Sequence, residues 1–285
     1  MPNLPYHFAR SEGQIVRRLY RAMLPTIVHR KVRVHNDVPF DVFAYSGQAT
    51  LPEQVASVRS FLAHVGRPNR FTIFSDGSHT SRAIQLLEQI DPVVHVSESL
   101  PSLSSPLPEQ VRGYLTAHPT GKQLLVIMSL PVHGPALYTD SDVLFFPGAT
   151  DLIDLAKTRG VSAFYLADYQ FSGDERLLSG SAEKEKPANT GFLLLLQKLD
   201  WSRGVERLLK LKGAPKFFTN QTVVHLCMHV NGALPLDPQK YILQVDDQFI
   251  YRDYYTDTSL AMRHYVSLVR HKFWGHVLRR FPSGP

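Results

Sequence analysis

The chain has 285 residues, 44% of them hydrophobic and 20% charged, enough to bury one sizeable core and ordinary for a globular protein. No apolar run approaches the roughly 18 residues of a membrane span, residues 1–13 lack the basic segment and apolar core of a secretory signal, and the single Cys227 excludes an internal disulfide, so the expected compartment is the cytoplasm. The net charge of +6 sits at the ends: residues 1–35 hold seven Lys or Arg against Glu12, residues 258–285 hold five and no acid, and the stretch between has 19 basic and 24 acidic residues.

In chain order, residues 14–24 predict an amphipathic helix, with Val16, Leu19, Tyr20, Met23 and Leu24 at helical spacing, Arg17, Arg18 and Arg21 on the other side, and Pro25 as its stop. Residues 1–36 thus read as a basic helical extension to a single domain over 37–285 that ends in a basic segment. From Phe40 strands and helices alternate. A first strand (40–47) leads to a helix (51–66), with Thr50 and Glu53 as a capping box and Gly66 as its end. A second strand (70–78), a helix to about Ile90 and a third strand (93–99) follow. Residues 101–108 read as loop; two helical stretches, the second over 121–132, precede an apolar strand at 136–146. Beyond it come a helix (150–160), a strand (161–169), a polar stretch at 173–186 expected to be mobile, an apolar strand from Asn189, and helices around 201–211 and 221–230. The succession predicts an α/β fold, a mixed, mostly parallel sheet flanked by helices, with no repeat and no internal linker.

The strand at 136–146 carries Asp140 and Asp142. Alternate side chains of a strand share a face, so both carboxylates are expected on one side and Ser141 on the other. Hard oxygen ligands suit Mg²⁺ or Mn²⁺ and leave positions open for substrate phosphates. Other polar residues stand at strand ends, where open α/β sheets place their ligands: Asp168, Asn189 to Gly191, Asn220 and Gln221 at the start of a helix, and His264 after a Tyr-rich segment. Cys227, in the run VVHLCMHV, reads as a core residue.

In this order TDSDVLFF (139–146), NTGFLLLLQKLDW (189–201), FFTNQTVVHL (217–226) and HYVSLVRHKFW (264–274) resemble the nucleotide-diphospho-sugar glycosyltransferases of the GT-A fold, a Rossmann-related architecture. The likeness is to the retaining family 8 group of lipopolysaccharide galactosyltransferases and glycogenins, and in layout it spans about Asp41 to Trp274. It implies a metal-dependent glycosyltransferase in which Asp140, Asp142 and His264 hold Mn²⁺ or Mg²⁺ against the two phosphates of the donor. It further implies that Ala44, Tyr45, Ser46 and Gly47 cradle the nucleoside, with a UDP-sugar the first expectation, and that Lys122, Ser141 and either Arg270 or Lys272 touch the donor. Asp168 and Asn189 would hydrogen-bond sugar hydroxyls, and Gln221, beside Asn220, would lie close to the anomeric carbon. Chemistry points the same way, since the charge that develops on a diphosphate leaving group needs cations to neutralise it. A glycan, a lipid-linked sugar or a small molecule each fit as acceptor, and no nucleic acid is expected.

The chain departs from the family 8 pattern in three places. Two extra residues separate His264 from Trp274, Phe273 replaces a proline, and Asn220 stands where an acid is usual, with Asp246 and Asp247 the alternative source of a carboxylate. Two other readings compete. A haloacid-dehalogenase-like phosphatase would use the Asp140/Asp142 pair, but its signature wants Thr or Val two residues after the second Asp, where this chain has Leu144, and normally follows the first strand. A non-enzymatic sugar- or anion-binding protein would explain the basic ends alone. Those ends, the helix at 16–24 and the segment with Lys272, Phe273, Trp274, Val277, Leu278, Arg279, Arg280 and Phe281, are expected to pack together and to hold the protein peripherally against an anionic membrane.

Overall fold

A computed structural model describes residues 3–103, 107–255 and 257–280, so part of the expected loop at 101–108 and all of Phe281 lie outside the described residues. Helix α1 (Leu4–Ala22) begins earlier than its apolar spacing predicts because the Asn3 carboxamide accepts from the Tyr6 amide at 3.2 Å. Pro25 is not its stop: the chain breaks at Met23, and Pro25 sits in the first turn of α2 (Leu24–His29), where its missing N–H costs nothing. Then come β1 (Asp37–Ser46), α3 (Leu51–His64), β2 (Arg67–Ser75), α4 (Ser81–Glu88) and β3 (Val94–Ser97). The predicted capping box does not form. Thr50 instead bonds the Gly47 carbonyl through its hydroxyl, and Glu53 turns inward to Arg17. Gly66 does end α3, at φ +137°, which a side chain adopts only with strain.

Helices α5 (Glu109–Ala117) and α6 (Pro119–Met128) lead to β4 (Ala136–Thr139) and β5 (Val143–Phe145). The strand expected at 136–146 is thus two strands, with Asp140 to Asp142 in the turn between them. After a 3₁₀ turn at Pro147–Asp151, α7 (Leu152–Leu155) supplies only one turn of the longer helix predicted there. The remaining elements are β6 (Ala163–Ala167), β7 (Ala188–Leu195), α8 (Ser202–Leu209), α9 (Thr219–Val230), β8 (Leu234–Pro235), β9 (Tyr241–Ile242), β10 (Met262–His264) and α10 (Arg270–Arg280).

The main sheet has the order β3-β2-β1-β4-β7-β6-β8, and a second, small sheet has the order β5-β10-β9. β3, β2, β1 and β4 run parallel, and β7 runs antiparallel to both β4 and β6. Successive strand residues feed opposite layers. Val42, Ala44, Leu137, Phe192 and Leu194 pack on the side of α3 and α4, while Phe43, Tyr138, Leu193 and Leu195 pack on the side of α6 and α9. Both faces of the sheet are covered, which is why its central strands read as unbroken apolar runs. Each fully buried Leu or Phe contributes roughly 1.5–3 kcal/mol. Cys227 lies in the second layer, and burial pushes its thiol up to about 12, as expected of a packing residue.

Residues 1–36 share this core: Val16, Tyr20, Leu24, Ile27 and Val28 join the layer under β1. Helix α1 lies against α10, with Gly13 so close to the His271 carbonyl that a Cβ would come within 2.6 Å, and with the Tyr20 and Trp274 rings 5.2 Å apart. The polar stretch at 173–186 is fastened rather than the mobile loop expected. Asp174 is buried, holding Arg176 and the Thr219 hydroxyl, and Glu183 pairs with Arg203 and Arg207. Among the described residues no helix is long and apolar enough to cross a membrane.

Candidate functional site

Strand directions gather the polar residues. Because β7 runs antiparallel to β4, its first residues meet the end of β4, and the Asp140 amide donates to the Gly191 carbonyl at 2.8 Å. β6 is antiparallel to β7 in turn, so Asp168 at its end lies beside Ala188 and Asn189. The small sheet adds the last member. β10 pairs with β5 in the register His264↔Val143, which carries the imidazole back to the Asp140–Asp142 turn, and the Tyr265 amide donates to the Asp142 carbonyl at 2.9 Å.

One ligand atom from each of Asp140, Asp142 and His264 lies within 4.8 Å of the others. His264 Nε2 is 3.1 Å from Asp142 Oδ1 and 3.8 Å from Asp140 Oδ2. Asp140 Oδ1 is occupied on its other side. The Tyr138 hydroxyl (2.9 Å) and Gln123 Nε2 (2.8 Å) both donate to it, leaving Oδ2 turned toward the histidine. Asp142 Oδ2 accepts from the Arg270 guanidinium. Two carboxylates and an imidazole make a donor set that fits a divalent cation. Gly191 is part of this geometry, because a Cβ there would overlap the His264 ring.

Electrostatics separate the two acids. Burial raises the Asp140 carboxyl above its ordinary value, and the charge on Asp142 adds to that rise against the pull of His264. Asp142 is buried as well, yet His264 and Arg270 outweigh the desolvation and hold it down at about 2. The same pairing lifts His264 above its ordinary value in spite of its burial.

A second group adjoins. Asn189 Nδ2 donates to Gln221 Oε1 at 3.2 Å, and Gln221 Nε2 donates to Asp168 Oδ2 at 3.2 Å and to the Ser172 carbonyl at 2.6 Å. Asp168 Oδ1 is buried with no hydrogen-bond partner, and burial raises this carboxyl. Asn220 lies inside α9 rather than capping it, and donates to Gln123 Oε1 at 2.8 Å, which ties it to Asp140 through one amide. At the end of β1, Ala44 and Ser46 are buried, the Ser46 hydroxyl has no partner, and Gly47 lies against the Asp76 carboxylate. Tyr45 is raised to about 12 by burial and by Asp76.

Ser141 is buried in the turn between the two acids, so strand alternation does not turn it to an opposite face. Lys122 is half-buried on α6, and its neighbour Gln123 is the residue that reaches Asp140. Of the two cations considered near the end, Arg270 reaches the acids. Lys272 is buried elsewhere, donating to the Ile250 and Arg252 carbonyls at 2.7 Å, with Asp247 at 3.5 Å. Asp247 pairs with Arg263 and Lys272, and Asp246 accepts from the Tyr255 hydroxyl, so neither supplies the carboxylate that Asn220 lacks. Gln123, Tyr138 and Asp76 are absent from the sequence reading; the Asp-Gly-Ser turn after β2 is the one signal that marks Asp76.

No family model and no curated protein sequence matches the chain. Solved structures do. A galactosyltransferase, LgtC, in complex with donor and acceptor sugar analogues superposes with TM-score 0.55 at 16% identity, over 83% of this chain and 95% of that one. Mouse xyloside xylosyltransferase 1 gives 0.51 at 12% identity over 82% and 99%, and the bifunctional glycosyltransferase WbbM gives 0.53 at 11% over 84% and 48%. The chain has the GT-A fold. Its acid pair, Asn-Thr-Gly and late histidine occupy the ligand edge of that fold, at the carboxyl ends of β1, β4 and β6.

Proposed function

We propose that the protein is a metal-dependent glycosyltransferase that moves a sugar from a nucleoside-diphosphate donor, a UDP-sugar first, to a glycan, lipid-linked or small-molecule acceptor. The observation that carries the reading is the gathering of Asp140, Asp142 and His264, from the β4–β5 turn and β10, beside the Asp168–Gln221–Asn189 group on a GT-A fold. In transfer the bond from the anomeric carbon to the diphosphate breaks, the acceptor oxygen bonds that carbon, and the acceptor proton passes to the departing diphosphate or to solvent. Asp140, Asp142 and His264 would hold Mn²⁺ or Mg²⁺, which would supply charge neutralisation at the diphosphate. Arg270 exchanges Asp142 for a phosphate oxygen and adds a second positive charge there. Asp168, with one oxygen unpartnered and its carboxyl raised, accepts a sugar hydroxyl, while Asn189 holds the Gln221 amide in place beside it. The ends of β1 and β2, with Tyr45, Gly47 and Asp76, form the nucleoside cradle.

The phosphatase alternative is not favoured, because the solved structures that share the fold over most of both chains are glycosyltransferases and His264 joins the acid pair. Calorimetry with UDP, GDP, CDP and ADP, with and without Mn²⁺, tests the proposal. One nucleotide is expected to bind only with the metal, and Asp142→Ala is expected to abolish that binding with the fold intact. Binding by none of the four, or phosphate release from simple monoesters, defeats it.

A further inference from the structure

The apolar side of α1 divides in two. Ala9, Gly13, Val16 and Tyr20 are buried toward α10 and the core, whereas Leu4, Phe8, Ile15 and Leu19 point away from the protein and are 57% to 65% exposed. At 100° per residue these four fall within a sector of about 60° on the helix. Tyr251 and Leu278 extend the row and border with it an open apolar depression of about 850 Å³. Single exposed apolar residues are ordinary on a protein surface, but four on one side of a helix, with only Ser11 and Glu12 between them, mark a contact face.

Charge says what the face meets. Helix α1 carries Arg10, Arg17, Arg18 and Arg21 against the lone Glu12, which is held by the Tyr251 hydroxyl. Arg17 is spent on Glu53 and on the Ala49 carbonyl, so it leaves the membrane-facing set expected from the sequence. Arg18 is exposed at the edge of the apolar row, Arg21 is exposed farther round the helix on the side of Arg17, neither makes an ion pair among the described residues, and Arg279 is exposed on α10. We propose that this face of α1 docks on an anionic lipid bilayer, with the four apolar side chains at the acyl boundary, Arg18 and Arg279 on headgroup phosphates, and Arg21 on the helix flank adding to the attraction. A second copy of the chain fits less well, because a two-fold contact through this face sets arginine against arginine. Docking does not depend on the transferase reading. Its geometric consequence does: Arg10 and Arg17 line a cleft that reaches Arg270 on the opposite side of α1, so a docked helix sets the site about one helix diameter, roughly 10 Å, from the bilayer.

Co-sedimentation of the full chain with phosphatidylcholine vesicles, with and without phosphatidylglycerol, tests this surface. Binding is expected to the anionic vesicles alone and to weaken between about 0.1 and 1 M salt, as the Debye length falls from about 10 to 3 Å. The variant Phe8→Gln, Ile15→Gln, Leu19→Gln changes only exposed side chains and is expected to keep the parent melting temperature. Its partitioning should fall at least about tenfold, since affinity follows apolar area and attraction to anionic lipid. Arg18→Glu with Arg21→Glu should do the same while still binding nucleotide. Equal recovery in the supernatant under all conditions overturns the proposal. So does a dimer that the triple variant dissociates, with no vesicle binding. Nucleotide binding without vesicle binding sinks the docking face alone, and vesicle binding without nucleotide binding sinks the transferase reading alone.

Discussion

Asp140 and Asp142 are one residue apart, yet their surroundings treat them differently. Asp142 has His264 and Arg270 as counter-charges and is held at about 2, so it is ionised across the physiological range. Asp140 has neutral donors, Tyr138 and Gln123, on one oxygen, and its carboxyl is raised. Gln123 is therefore a positioning residue: it fixes the rotation of Asp140 that turns Oδ2 toward His264, and it passes that constraint to Asn220. Removing such an outer partner typically weakens metal binding about 10- to 100-fold. Gln123→Ala is expected to weaken Mn²⁺ binding within that range while leaving far-UV circular dichroism unchanged. Gln123→Glu, which places a like charge against Asp140, should keep the contact distance and lose the binding. Mn²⁺ titrations equal to the parent in both variants would show that Asp140 needs no orientation by α6.

At the scale of elements, α10 shows why one cation reaches the acid pair and the other does not. Residues 270 and 272 are separated by about 200° around a helix, so Arg270 faces Asp142 while Lys272 faces Asp247. That phase is fixed by packing on α1 and the small sheet, and a sequence pattern leaves it open. Asp247 and Arg263 are both fully buried, with Asp253 as a second acid on the arginine. Burial pushes the Asp247 carboxyl up, but Arg263 and Lys272 outweigh it and hold the folded value below the ordinary one. Its stabilisation is therefore complete above the unfolded value near 4 and is lost as pH falls through the lower folded value. Asp247→Asn is expected to cost about 2–3 kcal/mol at neutral pH, less than the ~3–5 for stranding a lone buried charge because Asp253 remains. Urea unfolding of parent and variant should differ most near pH 7 and converge as pH falls through the lowered folded value of Asp247, and a constant gap would assign the loss to packing. The central strands β1, β2 and β7 were legible because burial on both faces leaves apolar runs. Legible too was the chain order of Asp140, Asn189, Gln221 and His264. What was not legible depends on three-dimensional register: the break between β4 and β5, the inward turn of Glu53, and the amide of Gln123.

Across the whole molecule, the two ends of the chain close on each other, and the seam between them runs into the site. Helix α1 supplies Arg17 to the buried Glu53 of α3, and it packs on α10, whose first residue holds Asp142. Tyr20 and Trp274 belong to the same buried cluster as β1 and α3, so the core is continuous from the terminal helices to the sheet. Residues 1–36 should then unfold with the rest rather than as an appendage. The chain offers the means to test this, because it has two tryptophans, Trp274 at the α1–α10 seam and Trp201 beside the opposite layer. In Trp201→Phe, fluorescence reports the seam while far-UV circular dichroism reports all helices. A continuous core predicts coincident urea transitions with one midpoint, the mark of two-state unfolding. Arg17→Ala strands Glu53 without its partner, and because Arg17 is one-third exposed the expected cost is about 1–3 kcal/mol. It should move both transitions together. Earlier loss of Trp274 fluorescence would instead make the terminal helices a separate unit, with the arginine at the acid pair released before the sheet unfolds.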